Sequence, residues 1–433
     1  MSEKFFDALL VYINKKKILF ILALIAAAFA AFYFFVLPKL TENQPVRAVV
    51  NSPEMARLSG KVILTYSDSE SVLYKGDMLN GHAEGFGSLY EKNGALVYEG
   101  GFSNDMYCGQ GKLYSENGSL VYSGEFKDNL FHGQGTLYNN LGEVEYKGGF
   151  ENGKYSGNGE LNTAGKVYEG QFNEGLLNGK GTMYSGGVLL YKGEFKDSLF
   201  HGAGVLYNDS GETVFSGSFE NGQYSGYGEL YDGGKLIYRG SFSRGLYNGE
   251  GELYSDSGET VFSGSFENGQ YSGYGELYDE GKLIYRGWFS HDLYNGDGEV
   301  YSEGRLLYRG GFVSGARAGE GSEYNENGEI IYSGTFKDGI YNGEGSLYVS
   351  GSLFYKGEFQ NGKRTGQGKE YDAEGHLIYE GGFLNGLYDG MGTLYDRKTG
   401  VKVFSGNFRD GRPLPEEPKE SSGPDASETE KTQ

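Results

Sequence analysis

From Tyr122 to Phe126 the chain reads YSGEF: Tyr122, Gly124 and Phe126 alternate with the polar Ser123 and Glu125. That period of two puts one set of side chains on each face of a β-strand. Lys127–Asn129 follow, and elsewhere ENG, RDG or KDG stand in the same place. These residues tolerate positive φ in tight turns. GQGTLY, Gly133–Tyr138, predicts the returning strand, and a second glycine-bearing turn such as NNLGEVE or DGGKLI opens the next hairpin.

The same pattern recurs from end to end. Units can be anchored on fourteen aromatic residues from Tyr74 to Tyr379, spaced 22 to 25 residues apart, with a truncated unit at Phe404. The stretch 211–240 returns at 258–287 with a single change, Gly233 to Glu280, displaced by 47 residues, which is one pair of units. An isolated hairpin is marginal in water, so stacked units must stabilise one another in a quasi-one-dimensional array. Glycine inside a strand usually marks close approach of another group. Bare backbone at Gly124, Gly133 and Gly135 therefore predicts tyrosine and phenylalanine rings from neighbouring strands lying flat over it.

Composition strengthens this picture. Glycine supplies 76 residues, tyrosine 38 and phenylalanine 28, against 7 prolines and a single cysteine. Disordered chains lack so many large apolar side chains. The net charge is −21, and the first 40 residues carry five lysines against Glu3 and Asp7, so the remainder is more acidic still. Nucleic acid is excluded as a partner of the repeats, since phosphate binding needs clustered cations. Cys108 alone allows no intrachain disulfide and no cysteine metal cage.

Ahead of the repeats, Ile18–Leu37 is a run of twenty residues without a charge, directly after Lys15–Lys17. Such a run has the length of a transmembrane helix, and lysines before it place the N-terminus in the cytoplasm. A cleaved signal peptide, with Ala28-Phe29-Ala30 as its small-x-small site, competes with this reading, but the apolar run continues past that site. The expected organisation is a cytoplasmic segment at 1–17, a transmembrane helix at 18–37, a linker at 38–60, the β array at 61–411 with KVILTY (Lys61–Tyr66) capping its edge, and a disordered tail at 412–433. The expected location is a single-pass membrane protein with its repeats outside the cytoplasm.

YKGEFQNGKRTGQGKEY, Tyr355–Tyr371, resembles a MORN (membrane occupation and recognition nexus) repeat at Tyr355, Gly357, Phe359, Gly362, Gly366 and Gly368. The resemblance covers residues 74–411. It implies an all-β fold, an elongated, twisted antiparallel array of about fourteen hairpin repeats behind the transmembrane helix, and a role as a protein-interaction scaffold. Some family members are proposed to contact lipid. Where family units carry a basic stretch after the turn, as in NGKRTG, most units here carry LYNG, QYSG or LFHG, which leaves few cations for anionic headgroups.

No catalytic, cofactor-binding or metal-ligating set is found. The five histidines sit in separate units, GKGT at Gly179–Thr182 lacks the rest of a phosphate loop, and no Gly-x-Ser-x-Gly elbow occurs. Active-site residues are unique, whereas here nearly every side chain has copies at equivalent positions. Trp288 breaks that rule, replacing a small or polar residue (YRGWF against YRGSF), and it joins Tyr294, Tyr271 and Tyr224, the tyrosines of the LYNG and QYSG segments, as candidate partner contacts. The expected function is a non-enzymatic, membrane-anchored scaffold or stalk for an unidentified protein partner, with self-association through exposed strand edges. The alternatives are a cell-envelope carbohydrate-binding surface, its rings stacking on sugars, and an antitoxin- or immunity-like inhibitor, which a similarity to bacterial antitoxins of related pattern implies.

Overall fold

The computed structural model describes residues 15–36 and 44–415, with side chains for 20–35 and 44–415. Segments 1–14, 37–43 and 416–433, which include most of the expected cytoplasmic segment and tail, lie outside the described residues. By its internal contacts the chain forms two units, Met1–Leu199 and Phe200–Gln433.

The first described element is an α-helix, Lys15–Ala31, which begins on the three lysines and gives way to a π-helical stretch, Phe32–Val36. Its 17 residues fall short of the roughly 20 apolar residues needed to cross about 30 Å of hydrocarbon at about 1.5 Å per residue. Among the described residues no helix is long and apolar enough to cross a membrane. The transmembrane helix expected at 18–37, and the single-pass location built on it, are corrected by this finding.

Within the stretch expected to be a linker, Val46–Val49 forms a strand parallel to Gly60–Thr65, and Met55–Arg57 a 3-10 turn. Gly60–Thr65 in turn pairs antiparallel with Val72–Leu79, the first strand of the repeats. From there each unit is an open antiparallel sheet of consecutive hairpins. Every substantial contact between its strands is with the strand before or after, so among the described residues no second layer packs on the sheet.

What replaces the second layer is visible in the hairpin Leu120–Lys127/Leu130–Tyr138. Tyr122, Gly124 and Phe126 are buried on one face, and Gly124 stands opposite Gly135. The Tyr122 ring folds down over both glycines, and its hydroxyl donates to the Glu125 carbonyl at 3.0 Å. Phe131 stacks above it at 3.9 Å between centroids, while Phe126 and Phe150 meet its edges at 5.0 and 5.2 Å. The Tyr122 ring thus has backbone below, a ring above and a ring on either side. Aromatic side chains bury roughly 150–250 Å² each, so this box suffices as a core one ring thick. For Gly124 the ring comes from the glycine's own strand, two residues earlier, and for Gly135 it comes from the neighbouring strand.

Gly133 corrects the sequence reading. It seats no ring; it adopts φ +55° beside a register shift in the hairpin, and a Cβ there would meet the Glu125 carboxylate. At the hairpin tips the turns bind one repeat to the next. Asn152 and Gly153 take φ +50° and +81°, and the Gly153 N–H donates to the carbonyl of Phe131 in the preceding hairpin at 2.9 Å. The same link recurs in the second unit, from Gly269 to Tyr247 and from Gly362 to Tyr341.

Two outcomes follow from the ring seat. A Cβ on Gly135 would sit 2.5 Å from Tyr122 Cε2 and Cζ, so Gly135→Ala should destabilise its hairpin by about 1–3 kcal/mol through overpacking. Gly142→Ala, at a turn with φ +80° and open space, should cost about 1 kcal/mol of backbone strain. Hydrogen exchange across residues 120–150 would reverse this account if Gly142→Ala were the more damaging.

Burial also pushes the phenols of Tyr146, Tyr168 and Tyr379 up to about 12 from an ordinary 10. The unfolded chain therefore releases these protons first. Stability should hold below pH 10 and fall as the pH climbs from 10 toward 12. Tyrosinate absorbance and circular dichroism recorded together should change in a single transition, and smooth ionisation with the sheet intact would contradict it.

Candidate functional site

The two faces of the sheet have different chemistry. On the ring face, the residue stacked over the anchor is Tyr224 on Phe215 (4.0 Å), Tyr271 on Phe262 (3.9 Å) and Tyr294 on Tyr285 (3.7 Å), nearly parallel in each case. These three candidate contacts therefore cover the core and are half-buried. Trp288 lies on the opposite face, so the structure does not bring it together with them.

Other residues can fill the covering position. Ala83 and Leu177 stand there in two repeats, facing Met78 and Phe172 across the pair. Arg317 and Arg364 do so in two more, with their guanidinium carbons 4.7 and 5.3 Å from the Tyr308 and Tyr355 ring centroids. Both arginines have an ion partner where other repeats place an aliphatic residue such as Leu347: Arg317 pairs with Glu323 at 3.1 Å and Arg364 with Glu370. Tyr341 and Tyr388 of the next repeats donate to these same carboxylates at 2.7 and 3.2 Å. Arg364, the arginine of NGKRTG, is thus held against the core.

Trp288 is half exposed on the opposite face, and its ring meets Tyr274 edge-on at 6.1 Å. Tyr227, 47 residues before Tyr274 and at the matching place in the duplicated stretch, is 62% exposed. Tyr227 and Tyr274 were not singled out from the sequence, yet the signal is there. In SGYGE a ring stands between two glycines where other units have Gln110, Gln134 or Asn158.

Between Tyr227 and Tyr274 lies an open trough of about 620 Å³ floored by Gly240, Gly251, Gly264 and Gly275. Along one side, Arg239 Nε pairs with Glu229 at 2.9 Å and Arg286 Nε with Glu276 at 2.7 Å. Tyr231 and Tyr278 donate to the same two carboxylates. First these phenol hydrogen bonds and then the guanidinium groups hold Glu229 and Glu276 below the usual carboxylate range. Glu252 receives the Tyr254 hydroxyl and Glu250 the Ser265 hydroxyl, and neither forms an ion pair among the described residues. The trough therefore joins exposed rings to two carboxylates, Glu250 and Glu252, that form no ion pair among the described residues, while Arg239, opposite Glu252 in register, lines it bound to Glu229.

The remaining chemistry is structural. Asp372, Glu374 and His376 converge closely enough to hold an ion. Asp372 Oδ1, however, accepts the N–H groups of Glu374 and His376, as Asn139 Oδ1 accepts those of Leu141 and Glu143 in another repeat. The cluster is a turn motif. Burial raises the Cys108 thiol above its ordinary value, away from a reactive thiolate.

A ladder of hairpins with a ring seat in each defines a β-repeat protein, and comparison with known families specifies which. The MORN repeat model matches in twelve stretches, eight running from 98–120 to 262–281 and four from 308–330 to 379–399. The chain belongs to the MORN repeat family. The model passes over Tyr74–Leu79 and its partner strand and over the unit of Trp288, yet both keep the fold: Tyr285 stacks on Tyr294, and the Tyr74 hydroxyl donates to the Asp77 carbonyl at 2.7 Å. No curated protein matches the chain. Among solved structures the chain is similar to TcdB2-TccC3-Cdc42 and to TcdB2-TccC3 without hypervariable C-terminal region, each at 11% identity, with TM-scores of 0.14 and 0.13. These matches cover 80% and 81% of this chain but 17% and 21% of theirs, so it spans about a fifth of their length.

The arginine–glutamate pair of the ring face can be tested by a double-mutant cycle. Arg364→Ala leaves Glu370, whose side chain is 12% exposed, without its cation, and should cost about 1–3 kcal/mol. Arg364→Tyr combined with Glu370→Leu, which recreates the arrangement of the neighbouring repeats, should recover most of that loss in urea unfolding. Additive losses in the double variant would mean that the two residues do not act as a pair.

Proposed function

We propose that this chain is a non-catalytic repeat scaffold that holds a protein partner on the outward face of its second unit, opposite the ring core. The observation that carries this reading is the exposure of Tyr227, Tyr274 and Trp288, at 62%, 50% and 51%, on one face. Tryptophan and tyrosine dominate the energetics of protein interfaces because they bury much area at little conformational cost. Rings left in water on a sheet whose own core is complete have no folding role to explain them. The ion pairs at Glu229 and Glu276 supply a polar rim beside them.

Photo-cross-linking residues placed at 227, 274 and 288 should give the same discrete adduct in cells, whereas residues at Gln134 and Asn158, on the equivalent row of the first unit, should not. The triple change to serine should abolish that adduct when the cross-linker is moved to Glu250, and should move stability by less than about 1 kcal/mol, as surface substitutions do. Equal adducts at all positions would refute a localised interface, and an adduct made of glycan would replace the protein partner with the carbohydrate reading.

A further inference from the structure

We propose that the trough between Tyr227 and Tyr274 takes an extended peptide bearing arginine or lysine side chains, a proposal that rests on the partner-binding reading and names the chemistry of the partner. Tyr227 and Tyr274 stand four strands apart, which at about 4.8 Å per strand separates them by about 19 Å. About six residues of extended chain, at about 3.3 Å each, span that distance. The floor is glycine backbone, and the two walls are exposed rings.

Charge selects the occupant. Arg239 and Arg286 are held by Glu229 and Glu276, so the cations beside the trough are already neutralised. Glu250, exposed, and Glu252, half-buried, sit between the two tyrosines with hydroxyl partners only. A neutral ligand laid over them would strip water from two carboxylates and return no charge. A guanidinium or ammonium group answers both features at once: it pairs with the carboxylate and lies over the ring face. The overall charge of −21 would draw such a segment in from a distance.

The arrangement depends on the duplication. Residues 211–240 supply the first tyrosine and 258–287 the second, and the segment between them supplies Glu250 and Glu252. One copy alone would make a single wall.

The test uses the full chain and a fluorescein-labelled peptide of about ten residues alternating arginine and serine, with a glutamate–serine counterpart, read by fluorescence anisotropy at physiological salt. Saturable binding of the basic peptide alone is expected. Tyr227→Ser with Tyr274→Ser, and separately Glu250→Gln with Glu252→Gln, should each weaken it by about tenfold. Glu116→Gln with Glu326→Gln removes the same charge at two exposed turns elsewhere and should change it by less than about twofold. Equal losses from the distant pair would reduce the attraction to diffuse charge and overturn the proposal. So would the absence of saturable binding; the cross-links at 227, 274 and 288 would then still report on the interface itself, so the two readings fail separately.

Discussion

The structure depends on a tyrosine ring lying flat against two glycines that face each other across a hairpin. For Tyr98 these are Gly100 and Gly111, and its hydroxyl reaches the Gly101 carbonyl at 2.9 Å. A ring that close to the backbone leaves no room for a Cβ on either strand, which is why glycine recurs where strand propensity argues against it. It also fixes the ring's height above the sheet. The covering ring and the edge-on phenylalanines of adjacent repeats can then pack in one way, as they do around Tyr98 at 3.8 and 5.1 Å. Phe215 and Phe262 occupy two of the seats without a hydroxyl and are as fully buried as the tyrosines. The flat ring is therefore the requirement, and the hydrogen bond supports it.

Because the core is complete on one face, the other face is released from folding. In a sandwich, both surfaces of a sheet answer to packing or solubility constraints set by a partner layer; here one face carries the whole apolar load. The outward row can hold Gln110 in one repeat, Lys180 in another and Trp288 in a third while the ring face repeats almost unchanged. Variation in that row is accordingly the place to look for function. Variation on the ring face has to be compensated locally, as Glu323 and Glu370 do for Arg317 and Arg364.

That division explains what could be read in the residues. Strand period, turn chemistry and unit length are local properties, so the hairpins and the family resemblance were legible from YSGEF and GQGTLY. The face a tyrosine occupies follows from alternation: Tyr224 and Tyr227 are three residues apart, an odd step, so the former pairs in register with Phe219 and stacks on the core while the latter pairs with Ser241 on the outward face. What the residues alone do not show is where the register shifts, as it does between Gly217 and Ser218. Gly133 escaped for the same reason, since a glycine at a bulge and a glycine under a ring are both simply glycine in sequence. The membrane span was inferred from the length of an apolar run, but the α-helical part of that run stops at Ala31, where the winding changes.

Duplication in a repeat protein is usually taken as a way to add length, and the nearest-neighbour energetics of such arrays make that easy. The pair of copies at 211–240 and 258–287 does something more specific. The first unit carries a ring, Phe86, at the equivalent outward position, but the duplication gives two such rings at a fixed spacing, because copying by a whole pair of units returns the ring to the same face at the same position along its strand. Had the copied segment been one unit of 23 or 24 residues, the second ring would have stood two strands away, about 10 Å, with room for little more than one side chain between the walls. A displacement of 47 residues opens four strands and brings Glu250 and Glu252 between them. The length of the duplicated module thus sets the size of what the two tyrosines can hold.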